Sequence, residues 1–170
     1  MSTIVDLLSL GHVPRWVIVR HHRSQSVAEH SFNVACIAHE LYVRHESSFS
    51  NADVRIANIL LRALYHDLEE CITGDMPTPA KKLFTRDHTV PPVADITSVT
   101  MVELQVVKLA DLIDAYTWIE VHGLGSHAQS VTNWLERKLY DYRNSLDWAD
   151  EKVTNKLVDE IQTETGRLRT

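Results

Sequence analysis

The sequence predicts an all-α protein, a compact helical bundle. Apolar residues recur three and four positions apart in segment after segment, the spacing of one helix face. Glycine and proline number only five each in 170 residues, too few for an all-β chain full of tight turns. No stretch gives a convincing alternating strand pattern. An apolar content of 44% and a charged content of 24% are ordinary for a globular domain. A chain of this length forms one domain with room for a real core, so residues 1–170 are read as a single unit. Its core spans about residues 14–120, with packing or interface helices over about 126–166.

In chain order, a short helix is expected at about residues 3–10, followed by a turn broken by Gly11 and Pro14. Trp16-Val17-Ile18-Val19 has β propensity between basic residues and reads as an extended segment. The second helix covers about 27–46, with Val34, Ile37, Ala38 and Leu41 on one face. Ser26 is its candidate N-cap, with Glu29 in capping-box spacing. The third covers about 53–71; Ile56, Ile59, Leu60, Ala63 and Leu64 share one face. Pro77, Pro79 and Pro91-Pro92 punctuate the stretch between the third and fourth long helices, and residues 79–84 fit a short helix. A helix at about 99–122 carries Val102, Val106, Leu109 and Ile113. Two more, at about 126–146 and 149–166, show the stripes Val131, Trp134, Leu135, Leu139, Tyr142 and Val153, Leu157, Ile161, which read as core or subunit interface.

Chemistry concentrates in the central helices. Asp67 falls eleven residues after Ile56 on the same face, so it points toward the core. A carboxylate aimed inward needs a partner, because an unpaired buried charge is very costly. A divalent metal is one such partner, and His66 lies roughly 100° around the helix, near enough to reach the same ion. His30, at the start of the second helix, and Asp111, on the fourth, supply further ligands. Two imidazoles and two carboxylates suit Mn, Fe, Co, Ni or Zn better than Ca or Mg, which favour all-oxygen shells. Taken singly, an inward Asp is more often hydrogen-bonded than metal-bound; it is the combination that points to a metal.

Four fragments, Ala28-Glu29-His30-Ser31, Tyr65-His66-Asp67-x-x-Glu70, Thr73-Gly74-Asp75-Met76-Pro77-Thr78-Pro79 and Val107-Lys108-Leu109-Ala110-Asp111, resemble the HD-domain phosphohydrolases. Within that superfamily the chain is most similar to the small 5′-deoxynucleotidases and the phage dATP triphosphohydrolases, and the pair Arg15-Trp16 belongs to the same pattern. The resemblance runs from about Pro14 to about Tyr116. It implies an HD-domain bundle with a metal site among the central helices.

What the resemblance implies residue by residue is more detailed than spacing allows. His30, His66, Asp67 and Asp111 would hold a divalent transition metal (Zn, Co or Mn), with additional Mg or Co allowed for beside a triphosphate. Glu70 would be catalytic or orient water, the alternative being a plain solvated glutamate. Asp75 would act as a base beside the metal, as a partner of the catalytic water or as a ligand of an extra ion; a helix-ending Thr-Gly-Asp turn explains it structurally. Arg15, Arg23, Lys81 and Lys108 are the phosphate-binding candidates, each otherwise a solvated charge. Trp16 would disfavour a ribose 2′-hydroxyl, and Ile18 and Pro79 would line an adenine pocket.

The implied reaction is metal-dependent hydrolysis of a deoxynucleotide. The first expectation is dATP to deoxyadenosine and triphosphate, on three grounds: a short chain, few residues between Pro79 and Asp111, and the Trp16-Val17-Ile18 segment. The alternatives are a 5′-deoxynucleotidase acting on monophosphates and, below it, a non-catalytic nucleotide-binding module. A net charge of −6 does not advertise a nucleic-acid surface, so a small deoxynucleotide is the expected partner. Cys36 and Cys71 lack ligand spacing and fit a reducing cytosol, the host's if the chain is phage-encoded. Residues 1–10 are too short and too acidic for a signal peptide, and no apolar run approaches a membrane span. The related enzymes imply a homo-oligomer, dimer or hexamer, with Trp134 and Trp148 as interface candidates. His12, His21, His22, His45, His88, His122 and His127 have no defensible ligand spacing and mostly read as surface residues.

Overall fold

The computed structural model describes residues 3–49, 54–75 and 99–167. Pro79, Lys81, His88, Pro91-Pro92 and the short helix expected at 79–84 lie outside them. Among the described residues the helices are α1 (Thr3–Ser9), α2 (Val27–Arg44), α3 (Ile56–Tyr65), α4 (Glu70–Thr73), α5 (Met101–His122), α6 (Gly125–Asn144) and α7 (Glu151–Arg167). No strand occurs among them; two isolated bridges, Pro14 to Ser26 and His21 to Gly123, tie down the segment between α1 and α2. None of these helices is long and apolar enough to cross a membrane.

The core forms where α2, α3 and α5 meet, with α6 and α7 packed against α5. Ile59 and Ala63 of α3, Val34, Ala38 and Leu41 of α2, and Leu109, Ala110 and Ile113 of α5 are all fully buried there. Each large aliphatic side chain in such a place contributes about 1.5–3 kcal/mol. Helix α5 is buried nearly all round its circumference, so it is the central helix, and whatever polar groups it carries need partners.

The predicted helix over 53–71 does not run through. After Tyr65 the chain tightens: Leu68 N bonds Tyr65 O, Glu70 N bonds Asp67 O and Cys71 N bonds Leu68 O, each three residues back. The His66 ring also takes the Ala63 carbonyl at 2.6 Å. Leu64, expected inward, is 37% exposed. The four-residue helix α4 then ends at Gly74, whose φ of 71° lies in the left-handed region.

Other expectations change too. Residues 16–19 are not extended but form a turn closed by Val19 N on Trp16 O. Trp148 is a core residue, 8% exposed, packed against Phe49 and His45 with its indole N–H on Gln105, so it is no interface candidate. Trp134 is 36% exposed. His45 and His122 are buried, not surface residues. His45 Nδ1 donates to the Leu41 carbonyl at the end of α2, and His122 faces His22.

Glu103 ties the start of α3 to the start of α5. Thr100 and Glu103 form a reciprocal capping box on α5. The same carboxylate, fully buried, accepts from Arg55 N at 2.6 Å and from the Asn58 amide. Its removal leaves several part-buried donors without this acceptor, each bond worth about 0.5–1.5 kcal/mol. Glu103→Ala is therefore expected to lower stability by about 2–4 kcal/mol in denaturant unfolding, against about 1 kcal/mol for the cap variant Thr100→Ala.

Candidate metal centre

Three elements bring their ligand candidates to one point. His30 stands on the first turn of α2, which begins at Val27 because Ser26 caps it through Glu29 N. His66 and Asp67 stand on the tightened turn after α3, and Asp111 is on the central helix α5. His30 Nε2 lies 3.2 Å from His66 Nε2, 3.3 Å from Asp111 Oδ1 and 3.7 Å from Asp67 Oδ2. His66 Nε2 is 3.3 Å from the same Asp67 oxygen. His30, His66 and Asp111 each offer a ligand atom within 4.8 Å of the others.

The hydrogen bonds behind the two rings fix what they present in front. His66 Nδ1 faces the Ala63 carbonyl, which can only accept. His30 Nδ1 lies 2.6 Å from Asp114 Oδ2, a carboxylate that likewise accepts. Both rings must therefore carry a proton on Nδ1. In the neutral ring this leaves a lone pair on each Nε2, and the two lone pairs face each other among two carboxylates. Such a convergence of electron pairs is unfavourable without positive charge at its centre. The donor set, two imidazoles and two carboxylates, fits a transition ion or zinc.

Electrostatics point the same way. Burial and the Arg15 guanidinium oppose a charge on His30, yet hydrogen bonds to Asp111 and Asp114 outweigh them and raise its pKa above 6.5. Burial likewise opposes ionisation of Asp111, but its bond with His30 and the Lys108 and His66 charges hold it well below the usual carboxylate range. Asp114 is lowered for similar reasons, through His30, Arg15 and Asn33.

The phosphate-binding candidates fall in different places. Lys108 Nζ reaches Asp111 Oδ2 at 2.6 Å and stays half exposed, one turn along the same helix. Arg15 is nearly buried, with Nη1 3.1 Å from Gln25 Oε1 and 3.6 Å from Asp114 Oδ2. Arg23 is exposed and paired with Glu29 at 2.5 Å. Glu70 is only 1% exposed at the start of α4, so it is not a plain solvated glutamate. Asp75 Oδ2 accepts from Trp16 N at 2.9 Å.

Trp16 sits in the left-handed region with φ of 63°, which costs a non-glycine residue about 1–3 kcal/mol. Four contacts hold it there: the Asp75 carboxylate, Gln25 on the indole N–H at 3.0 Å, a parallel stack on Trp118 at 5.5 Å, and the Arg15 guanidinium at 5.2 Å from its ring. Ile18, two residues on, is 64% exposed.

Sequence reasoning missed Asp114, Asn33 and Gln25. Asp114 follows Asp111 by three residues and Asn33 follows His30 by three, so each lies one turn from a ligand candidate, and that spacing was a usable signal. Gln25 carried none.

This bundle, with a histidine, a His-Asp pair and a later aspartate around one point, has the architecture of the HD-domain phosphohydrolases. Solved structures share it. The cyanophage S-2L HD phosphohydrolase DatZ, bound to dA and one catalytic Zn²⁺, superposes with a TM-score of 0.71 at 22% identity, over 98% of both chains. An HD-domain phosphohydrolase from Listeria innocua does so with a TM-score of 0.60 at 16% identity, over 96% of this chain and 95% of that one. The pattern of the 5′-deoxynucleotidase YfbR-like family matches residues 4–89, and the chain belongs to that family. The dATP triphosphohydrolase of Salmonella phage PMBT28 is 32% identical over 160 residues, 87% of this chain and 82% of that protein. The 5′-deoxynucleotidase YfbR of Photorhabdus temperata is 44% identical over a shorter stretch of 75 residues, 44% of this chain and 38% of that protein.

The geometry makes two measurements decisive. Asp114→Asn is expected to lower Zn or Co affinity about 10–100-fold in a metal titration, since it disturbs the group that fixes the His30 ring. Because the folded protein holds the His30 proton to a pH above 6.5, metal must displace it. Affinity should thus rise with pH, by about tenfold per unit on the acid side of that raised pKa, with proton release seen in a weakly buffered titration.

Proposed function

We propose that this protein hydrolyses deoxynucleotides at the four-residue centre, and that its substrate is dATP, cleaved to deoxyadenosine and triphosphate. The observation that carries the reading is the convergence of His30, His66 and Asp111 ligand atoms within 4.8 Å of one another, with Asp67 Oδ2 3.3 Å from His66 Nε2 and 3.7 Å from His30 Nε2. The likeness to the phage dATP triphosphohydrolase over most of both chains supports the choice of substrate.

A divalent ion held by these ligands supplies positive charge to a phosphate oxygen and acidifies a bound water. The chain's own groups do the rest. Lys108, beside Asp111 and half exposed, holds the α-phosphate. Arg23, at the surface, and Lys81 serve the outer phosphates, and Arg15 binds phosphate only by leaving Gln25 and Asp114. Glu70, buried one short turn after Asp67, orients the attacking water and takes its proton. The water oxygen bonds to the α-phosphorus, the bond from that phosphorus to O5′ breaks, and O5′ takes up a proton. Trp16 presents its ring to the deoxyribose, Asp75 holds Trp16 in place, and Ile18 and Pro79 flank the base. Work on free nucleotides sets the enzyme in the cytoplasm, the host's if it is phage-encoded. The exposed Ile4, Val5 and Leu8 of α1 offer a face for a homo-oligomer.

The local match to 5′-deoxynucleotidases keeps a monophosphatase as the second reading. Metal-loaded protein incubated separately with dATP, dAMP and ATP decides between them. Deoxyadenosine and triphosphate from dATP, with ATP spared, is the expected result. Phosphate release from dAMP with dATP inert reassigns the chain as a 5′-deoxynucleotidase. Glu70→Gln should lower kcat about 10²–10⁴-fold with metal still bound, the usual worth of acid–base help.

A further inference from the structure

Gln25 is fully buried and lies between the metal centre and Trp16. Its Oε1 accepts from Trp16 Nε1 at 3.0 Å and from Arg15 Nη1 at 3.1 Å. Its Nε2 donates to Asp114 Oδ2 at 3.1 Å, and that oxygen also holds His30 Nδ1 at 2.6 Å. The main chain adds a further tie, Arg15 N on Gln25 O at 2.8 Å.

The orientation of this amide is forced. Turned over, its NH₂ would face two N–H donors and its oxygen would face a carboxylate. A primary amide meets this demand: its oxygen accepts from both Trp16 and Arg15 while its NH₂ donates to Asp114. Three hydrogen bonds thus run from a metal-ligand candidate to the indole: His30 to Asp114, Asp114 to Gln25, Gln25 to Trp16. These three bonds are the route by which a shift of the His30 ring would reach Trp16 Nε1.

We propose that Gln25 is a positioning residue that couples the filled metal centre to the setting of the Trp16 indole. Sugar discrimination then depends on the metal, and by linkage a nucleotide seated on Trp16 tightens the metal in turn. The part that concerns sugars rests on the function proposed above; the coupling itself does not.

The test uses ¹⁵N-labelled full-length protein and the indole N–H signals of its four tryptophans. The Trp16 signal is assigned by its loss in Trp16→Phe, and Zn is then titrated in. In the wild type the Trp16 signal should shift in step with metal binding. Gln25→Leu should still bind Zn but leave that signal unresponsive. Gln25→Glu, whose carboxyl beside the Asp114 carboxylate is held protonated, accepts from Trp16 and Arg15 and donates an O–H where the amide gave an N–H, so it should keep the response to Zn. An unresponsive wild-type signal, or a wild-type response in Gln25→Leu, overturns the coupling.

Kinetics give the second arm. The ratio of kcat/KM for dATP over ATP should fall about tenfold in Gln25→Leu, the worth of one lost hydrogen bond, and stay within about threefold in Gln25→Glu. An unchanged ratio in Gln25→Leu overturns the role in discrimination. Wild-type protein that turns over no deoxynucleotide defeats the proposed function instead, and the spectra still judge the coupling.

Discussion

The bond between His30 Nδ1 and Asp114 Oδ2, 2.6 Å long, decides how the rest of the site is built. It sets the His30 tautomer, so Nε2 presents a lone pair toward His66, Asp67 and Asp111. Burial opposes the charge on Asp114, but its bond with His30, then Arg15 and Asn33, hold its pKa down, and Gln25 adds a further donor to the carboxylate. A buried carboxylate without those donors would be expensive. The packing of α2 on α5 answers the same demand, since the two partners of the bond come from those two helices.

The second constraint is the tightened turn after α3. Had the helix continued with regular four-residue bonds, it would have run on to Thr73 as one element. The shift to three-residue bonds and the His66 ring on the Ala63 carbonyl turn both His66 and Asp67 toward His30. The same turn leaves Glu70 buried at the start of α4, and Gly74 then releases the chain so that Asp75 can reach Trp16.

Family membership and geometry bear on different questions. The fold is shared with solved HD-domain phosphohydrolases at low identity, and within it His30, His66 and Asp111 offer ligand atoms within 4.8 Å of one another. The choice between tri- and monophosphate substrates depends on the positive charge near the outer phosphates. Lys108 stays beside the centre and Arg23 at the surface, whereas Arg15 is already engaged with Gln25 and Asp114. A cation held that firmly acts first on the protein's own architecture.

The sequence by itself determined the helical class and the extents of α2 and α5 to within a few residues; it proposed His30, His66, Asp67 and Asp111 as one site, of which His30, His66 and Asp111 offer ligand atoms within 4.8 Å of one another. These are local or periodic properties: capping by Ser26, apolar spacing, and motif residues in a recognisable order. The tertiary structure decided the rest. Trp16 occupies a left-handed turn only because Asp75, Gln25 and Trp118 close on it from distant parts of the chain. Trp148 and His45 are core residues because α2 and the link before α7 meet there, which no local pattern reveals. Gln25 has no periodic or motif signal at all. Its role comes from three partners, one of them 89 residues away, and such long-range hydrogen bonds exist only once the helices have packed.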